Sequence, residues 1–355
     1  MPNSQPWNDL FVRFTPQTIA REYGVEFDEI RDFNIFVISK RKIGLGKPFF
    51  QANDRFIYPS SSEKVNQLLR SIKYPAGESF WFRGSSNHHL RSLKGIEFPE
   101  VMAIINMTPD SFYPKSRIGK AELLDTLETL KKNGVKIVDI GGQSTRPGSE
   151  RISSQEEIKR IRSAVEASLN MRFIVSVDSF QVEVVRESLE MGANMINDVC
   201  GMENPEMGLL SKKYDVPIVI MHKKGDFKTM QISPHYDNVV EEIISFFTGK
   251  LEEANNLGIG ENVILDPGIG FGKNLSHNIS IIKNIPDLKL GRPFLIGLSR
   301  KSFIGSITGE EVDQRGLSSI IMNTIALING ADIIRVHDPE ENMKLIKIIK
   351  KIKEA

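Results

Sequence analysis

Short apolar runs in this chain end, again and again, in side chains able to do chemistry. Asn106 closes VMAIIN (101–106), Asp178 closes FIVSVD (173–178), and Asn197 and Asp198 sit in NMINDV (194–199). Met221 and His222 end PIVIMH (217–222), and Asp266 ends VILD (263–266). Ser299, Arg300, Lys301 and Ser302 come at the end of PFLIGLS (293–299) and just after it; Arg335, His337 and Asp338 fall in DIIRVHD. Asp178, Asn197, Asp266 and Lys301 offer a planar polar ligand both acceptors and donors. Carboxylates in a dry mouth match the adjacent N–H groups of a 2-amino-4-oxo-pyrimidine ring, and burying them without such a partner costs several kcal/mol. Arg335 and His337, with Arg146 beside Thr145 in DIGGQSTRPGSE (139–150), suit a phosphoryl or pyrophosphoryl group. The Asn106 oxygen fits a hard divalent cation such as magnesium. One aspartate at a strand end is ordinary turn or cap chemistry. The recurrence of such groups at the same level of nearly every run is what points to a site.

Other chemistries are excluded by spacing. GIGFGK (268–273) lacks the third glycine of a dinucleotide fingerprint and is not a Walker A loop. There is no HExxH and no GxSxG, so a zinc protease helix and a serine nucleophile elbow are both missing. The six histidines show no tight zinc spacing, and His235 and His277 read as surface or supporting residues. Cys200 is the only cysteine, which rules out an internal disulfide and fits a reducing compartment.

These groups need elements to hold them. The runs named above, with KIVDI (136–140), make eight strand candidates, each followed by a helix candidate. They are continuously apolar, as parallel strands buried on both faces are. AELLDTLETLKKNG has leucines at helical spacing and stops at Gly134; SSQEEIKRIRSAVEASL opens with the serine–glutamate pattern of a capping box. Eight such units in about 255 residues predict an α/β fold, a (β/α)8 TIM barrel. The competitor, a doubly wound open sheet, would spread the strand-end groups along an edge; a barrel gathers them on one face.

The chain has 355 residues and a net charge of +1, so nothing favours nucleic-acid binding or a polybasic membrane contact. No apolar run approaches the roughly 18 residues of a spanning helix, and no signal peptide is visible. A cytoplasmic protein is expected. Residues 1–79 are read as a small N-terminal α+β extension of unknown role and 80–355 as the barrel. In the extension FNIFVISK predicts a strand, TPQTIAREYGVEFDEI and KVNQLLRSI predict helices, and SKRKIGLGK reads as a solvated basic loop. ESFWFRGSSNHHLRSL (78–93) predicts a hairpin that plugs the barrel floor.

INMTPDSF (105–112), DIGGQSTRPGS (139–149), SVDS (176–179), MINDV (195–199), LDPGIGFGKN (265–274), GLSRKSFIG (297–305) and IIRVHD (333–338) together resemble the dihydropteroate synthase family of pterin-binding enzymes. The likeness runs from about residue 80 to the end of the chain. It implies condensation of 6-hydroxymethyl-7,8-dihydropterin pyrophosphate with 4-aminobenzoate, giving 7,8-dihydropteroate and pyrophosphate, with Mg2+ as cofactor and a homodimer as the assembly. Carried across residue by residue, it implies a pterin site of Asp178, Asn197, Met221, Asp266 and Lys301. It implies a pyrophosphate site of Asn106, through magnesium, with Arg335 and His337. The aminobenzoate site would be Thr145, Arg146, Pro147, Phe271, Lys301 and Ser302. Asp178, Asp266, Lys301, Arg335 and His337 would carry the catalysis, and the loops after the first two strands would close over it.

The sequence departs from the family pattern at Pro114 and Lys115, where an acid and a glycine are usual, and at Gln143, where a glutamate is usual. Two other readings stand beside the synthase. One is a pterin-dependent methyltransferase module, which needs no pyrophosphate site; the other is a catalytically silent pterin-binding paralogue.

Overall fold

The computed structural model describes residues 10–13, 35–39, 50–52, 55–60, 92–108, 120–143 and 151–354. Two compact units are distinguished, Met1–His89 with Asp287–Gly291, and Leu90–Pro286 with Arg292–Ala355. In the first, β1 (Leu10–Arg13), β2 (Ile35–Ser39), β3 (Phe50–Ala52) and β4 (Arg55–Ser60) form an antiparallel sheet in the order β1-β2-β4-β3. FNIFVISK thus supplies a strand as expected. The two helices expected in this part lie outside the described residues.

The second unit opens with a hairpin of β5 (Ser92–Leu93) and β6 (Ile96–Glu97), turning through Lys94 and Gly95, both at positive φ. Eight parallel strands follow: β7 (Glu100–Asn106), β8 (Ile137–Gly141), β9 (Ile174–Asp178), β10 (Met195–Asp198), β11 (Ile218–Met221), β12 (Val263–Asp266), β13 (Leu295–Ile296) and β14 (Ile333–Val336). Each pairs with its neighbour in chain order, β14 pairs with β7, and a parallel bridge between Leu265 and Phe294 joins β12 to β13. The sheet is therefore a barrel, as the eight runs predicted. β13 is shorter than PFLIGLS suggested. Pro293 has no N–H for the ladder and contributes only its carbonyl, which accepts from Leu265 N at 2.9 Å.

Helices cover the outside of the strands, and their ends obey the local signals. Ser153 caps the helix Ser154–Asn170 by accepting from Glu156 N at 3.2 Å. The return half of that expected box is replaced: Glu156 turns to Arg160 on its own helix. Asn238 caps Val239–Leu257, and Gly258, at φ 80°, ends it. No helix among the described residues is long and apolar enough to cross a membrane.

Alternation along the strands sorts the interior into layers. Met102, Ile137, Met195, Val219, Ile264, Leu295 and Ile333 pack with Leu93 and Ile96 of the hairpin in one buried cluster. The tight turn at 92–97 thus plugs the floor; of the segment 78–93 expected to do so, residues 78–91 lie outside the described residues. Two residues further along the same strands come Ile104, Asp139, Asn197, Met221, Asp266, Gly297 and Arg335. The apolar floor is followed at once by a polar layer facing the mouth.

Candidate active site

Asp139 holds that polar layer together. It is fully buried, and its Oδ1 accepts from Ser176 Oγ at 2.6 Å. Its Oδ2 accepts from Asn197 Nδ2 at 2.9 Å and from Arg335 Nε at 2.6 Å. Arg335 Nη2 donates to Asp178 Oδ2, so one guanidinium bridges two carboxylates on neighbouring strands. Burial opposes the Arg335 charge, but Asp139 and Asp178 outweigh it and hold its pKa above the ordinary value. Arg335 Nη1 has no partner among the described residues.

Asp178 and Asp266 each keep an acceptor for a ligand. Asp178 Oδ1 is buried with no hydrogen-bond partner. Burial pushes the Asp178 carboxyl up to about 7; Arg335 pulls it back, while Asp139 adds to the rise. Asp266 Oδ1 accepts from Gly268 N at 2.7 Å, and its Oδ2 accepts nothing among the described residues. Burial raises its pKa also, against Lys301 and the Gly268 N–H. Met221, buried, lies beside Asp266 in the β11–β12 ladder.

Lys301 donates to the carbonyl of Ile269 and stands 5.2 Å from the centroid of the Phe271 ring. Burial draws its amine down to about 8, with Asp266 opposing the fall and Arg335 adding to it. The preceding Arg300, at φ 56°, directs the turn. Its fork takes both Asp338 oxygens at 2.8 and 2.9 Å and the carbonyls of Val312 and Asp313 at 3.0 and 2.8 Å. That clamp ties the loop after β13 to the loop after β14, where the His337 N–H and Nδ1 meet Ser299 Oγ at 3.2 and 3.1 Å. Ser302 opens the helix Ser302–Thr308 beside Lys301.

The strand-end groups Asp178, Asn197, Asp266, Lys301 and Arg335 therefore share one mouth. Asn106 ends β7, which is flanked by β8 and β14. Thr145, Arg146 and Pro147 lie outside the described residues, as do Pro114 and Lys115. Gln143 is described: its Oε1 accepts from Gln181 Nε2 at 3.1 Å, and the same amide donates to the buried Glu157. A neutral side chain there avoids a second carboxylate beside Glu157, whose pKa burial already raises. Asp198, noted at a strand end, points to its own loop, accepting from the N–H groups of Cys200 and Met202. Asp139, Ser176 and Arg300 were given no role from the sequence. The available signal was an acid inside the apolar run KIVDI, one inward position before its end.

No group of three or more histidine, cysteine, aspartate or glutamate side chains able to hold a metal occurs among the described residues. On the described residues a magnesium ion would rest mainly on its own waters and on substrate oxygens, which is its usual habit. Asn106 could then give it a single protein oxygen.

A family model described as pterin binding enzyme matches residues 102–337. Dihydropteroate synthase of Haemophilus influenzae is 39% identical over 258 residues, 71% of this chain and 94% of that protein. The Escherichia coli enzyme is 38% identical over 261 residues, covering 72% and 92%. A bifunctional dihydropteroate synthase/dihydropteroate reductase of Helicobacter pylori is 35% identical over 314 residues, 87% of this chain and 81% of that protein. Among solved structures, Yersinia pestis dihydropteroate synthase with a sulfonamide drug complex superposes with a TM-score of 0.70 at 36% identity, covering 74% of this chain and 99% of that one. The Xanthomonas albilineans enzyme with 4-aminobenzoic acid gives 0.67 at 35% identity, covering 73% and 94%.

Proposed function

The chain belongs to the pterin-binding enzyme family, among its dihydropteroate synthases, and from that premise we propose how its mouth divides the work. The reaction is a transfer in folate synthesis. Dihydropterin pyrophosphate and 4-aminobenzoate become dihydropteroate, and pyrophosphate leaves. The relatives are synthases, with structures that hold a sulfonamide or 4-aminobenzoic acid, so neither the methyltransferase module nor the silent paralogue is favoured.

In our reading the pterin ring lies between Asp178 and Asp266, with Asn197 and Lys301 at its polar edge and Met221 against its face. The observation that carries this is the orphaned Asp178 Oδ1, a buried acceptor awaiting an N–H. Asn106, Arg335 and His337 receive the pyrophosphate; Arg335 keeps Nη1 for it while its other nitrogens hold the acids. Phe271, Lys301 and Ser302, with Thr145, Arg146 and Pro147, take the aminobenzoate. Asn106 would help to hold a magnesium ion arriving with the pyrophosphate, and that ion would supply positive charge to the leaving group. The C–O bond to pyrophosphate breaks, positive charge spreads from the methylene into the dihydropterin, and Asp178 and Asp266 stabilise it. The arylamine nitrogen then forms the new C–N bond and sheds a proton. It is unprotonated near pH 7, so no strong base is assigned.

Purified protein with both substrates and magnesium should release pyrophosphate and dihydropteroate. Lys301→Ala and Arg335→Ala should remain folded by circular dichroism and lose turnover by roughly a hundredfold or more. Near-parental rates in both would remove the assignment.

We propose a homodimer through the helices Gly316–Ile328 and Pro339–Glu354. Leu317, Ile321, Ile325 and Ile328 are 41–69% exposed at spacings of four and three, and Ile348 and Ile352 add 58% and 66%. Such a stripe on adjacent helices suits a self-complementary two-fold contact. The cytoplasm is the compartment we propose, supported by the single cysteine.

A second activity has a specific observation behind it. Leu90–Ala355 is only about three quarters of the chain, so the alignment with the bifunctional Helicobacter pylori protein, at 87% of the chain, reaches well into residues 1–89. We propose that this protein also reduces its product: hydride from a reduced flavin or nicotinamide nucleotide adds to C6 and a proton to N5 of the dihydropteroate N5=C6 bond. Full-length protein given dihydropteroate and either reductant should consume both in equal amounts. Consumption of neither defeats this second reading and leaves the first intact.

A further inference from the structure

Lys273 is a buried lysine that the reaction does not use. It ends GIGFGK, is 3% exposed, and lies on no carboxylate. Its Nζ reaches three acceptors: Phe271 O at 3.0 Å, His222 O at 3.2 Å and His222 Nδ1 at 3.0 Å. Three acceptors match the three N–H groups of an ammonium when His222 is neutral with its proton on Nε2. The His222 ring is wedged edge-on against Phe246, with centroids 5.0 Å apart, and beside Tyr236 at 6.1 Å. The amine thus crosslinks the loop after β11 to the loop after β12.

The second of those loops is held by its carbonyls. Ile269 O receives Lys301, Gly270 O receives Gln231 Nε2, and Phe271 O receives Lys273. Glycines allow the close approach: a Cβ on Gly268 would sit 2.0 Å from His222 O, and one on Gly272 2.1 Å from Lys224 O. Phe271 is pinned on both sides by lysines, one in the mouth and one beneath it. Its ring faces Lys301 on one side and meets Phe227 edge-on at 6.5 Å on the other.

We infer that Lys273, seated on His222, is a positioning residue for the arylamine: it fixes the Phe271 backbone so that the ring forms a rigid wall of the aminobenzoate site. The inference rests on the reading of Phe271 as part of that site. It assigns Lys273 no contact with either substrate, and it sets the arylamine apart from the pterin, whose Asp178 is held by Arg335 and whose Asp266 is held by the Gly268 N–H.

The test compares Lys273→Met, Lys273→Arg, His222→Leu, His222→Asn and Phe271→Ala. Steady-state KM for 4-aminobenzoate, calorimetric binding of dihydropterin pyrophosphate and melting temperature are read for each. Lys273→Met should raise KM for 4-aminobenzoate about tenfold while pterin binding moves less than about twofold. His222→Asn puts an amide oxygen where Nδ1 was and should stay within about threefold of the parent, whereas His222→Leu should follow Lys273→Met. A role in folding alone would lower melting temperature without splitting the two substrates. Where Lys273→Met does not fold, the two His222 variants decide. Phe271→Ala separates the failures. If it leaves KM unchanged, the reading of the arylamine site falls. If it raises KM while Lys273→Met and His222→Leu do not, the inference falls alone. Equal loss for both substrates also overturns it, and so does failure of His222→Asn to rescue.

Discussion

Asp139→Asn probes whether the polar layer acts as a unit. The native carboxylate is fully buried and accepts three hydrogen bonds, from Ser176, Asn197 and Arg335. Asparagine keeps its shape and one acceptor oxygen but loses the charge opposite Arg335. Removing one member of a buried ion pair costs about 3–5 kcal/mol when the partner is left alone. Arg335 is not left alone, because Asp178 still holds Nη2. The cost should therefore resemble a weakened charge-assisted hydrogen bond, about 1–3 kcal/mol. In a barrel of this size that is a fall of about 2–4 °C in melting temperature per kcal/mol. The more specific signature is in pH. The Asp178 carboxyl lies at about 7, above its ordinary 3.8, and Asp139 is one of the charges that raise it. A raised carboxyl contributes stability that is complete below the ordinary carboxylate range and is lost as pH climbs through about 7. Without Asp139 that loss moves to lower pH. Pterin binding, if it uses the Asp178 carboxylate as acceptor as proposed, should weaken in the parent as pH falls through about 7 and in Asp139→Asn only at lower pH. Calorimetric titration with dihydropterin pyrophosphate across this range measures the limb directly. A limb that stays put or moves upward, with an unchanged melting temperature, refutes the coupling.

Other expectations follow from single contacts. Arg300→Lys replaces a fork holding four acceptors with a point charge. It should lower turnover about tenfold and melting temperature by several degrees, and parental values in both assays would count against the clamp. Gly268→Ala places a Cβ on the His222 carbonyl at φ +63° and should destabilise by more than about 1 kcal/mol in urea titration. Ile321→Glu puts a charge in the middle of the exposed stripe; sedimentation should show a dimer become a monomer, and a persisting dimer would assign the contact to another face.

The barrel was legible because its signal is redundant. Eight apolar runs had to alternate with helices, and a slip at one, such as the short β13, left the rest in place. The site was legible wherever chemistry falls at the last inward residue of a strand, as in Asp178 and Asp266. Asp139 and Ser176 escaped because they lie one inward step deeper, inside runs whose neighbours are all apolar. Their meaning comes from barrel closure, which brings Arg335 of the last strand onto Asp139 of the second, 196 residues away. Lys273 escaped for a different reason. GIGFGK matches no phosphate loop, and its glycines serve close packing against residues 222–224, a contact between separate loops that no local pattern shows. The floor plug at 92–97 shares Ser92 and Leu93 with the expected segment, the rest of which lies outside the described residues.

The balance of charge in the mouth bears on how the proposed reaction proceeds. Asp139 and Asp178 face Arg335, and Asp266 feels both Lys301 and Lys273, while burial raises the Asp178 and Asp266 carboxyls and lowers both amines. Asp266 is not closely paired, because Lys301 donates its hydrogen bond to the Ile269 carbonyl and Asp266 keeps Oδ2 open. The open acceptors, Asp178 Oδ1 and Asp266 Oδ2, end the third and sixth of eight strands, nearly across the barrel from one another. A flat ring lying between them meets a carboxyl group, and the negative field of its ionised form, at either side. In the proposed arrangement that field opposes the arrival of pyrophosphate, Arg335 Nη1 and His337 offset it at the tail, and a bound magnesium ion would offset it further. The same field favours the ring once the tail has gone and the methylene carries positive charge. Fixed partners already hold every one of these groups, so the ionisation requires little reorganisation of the protein.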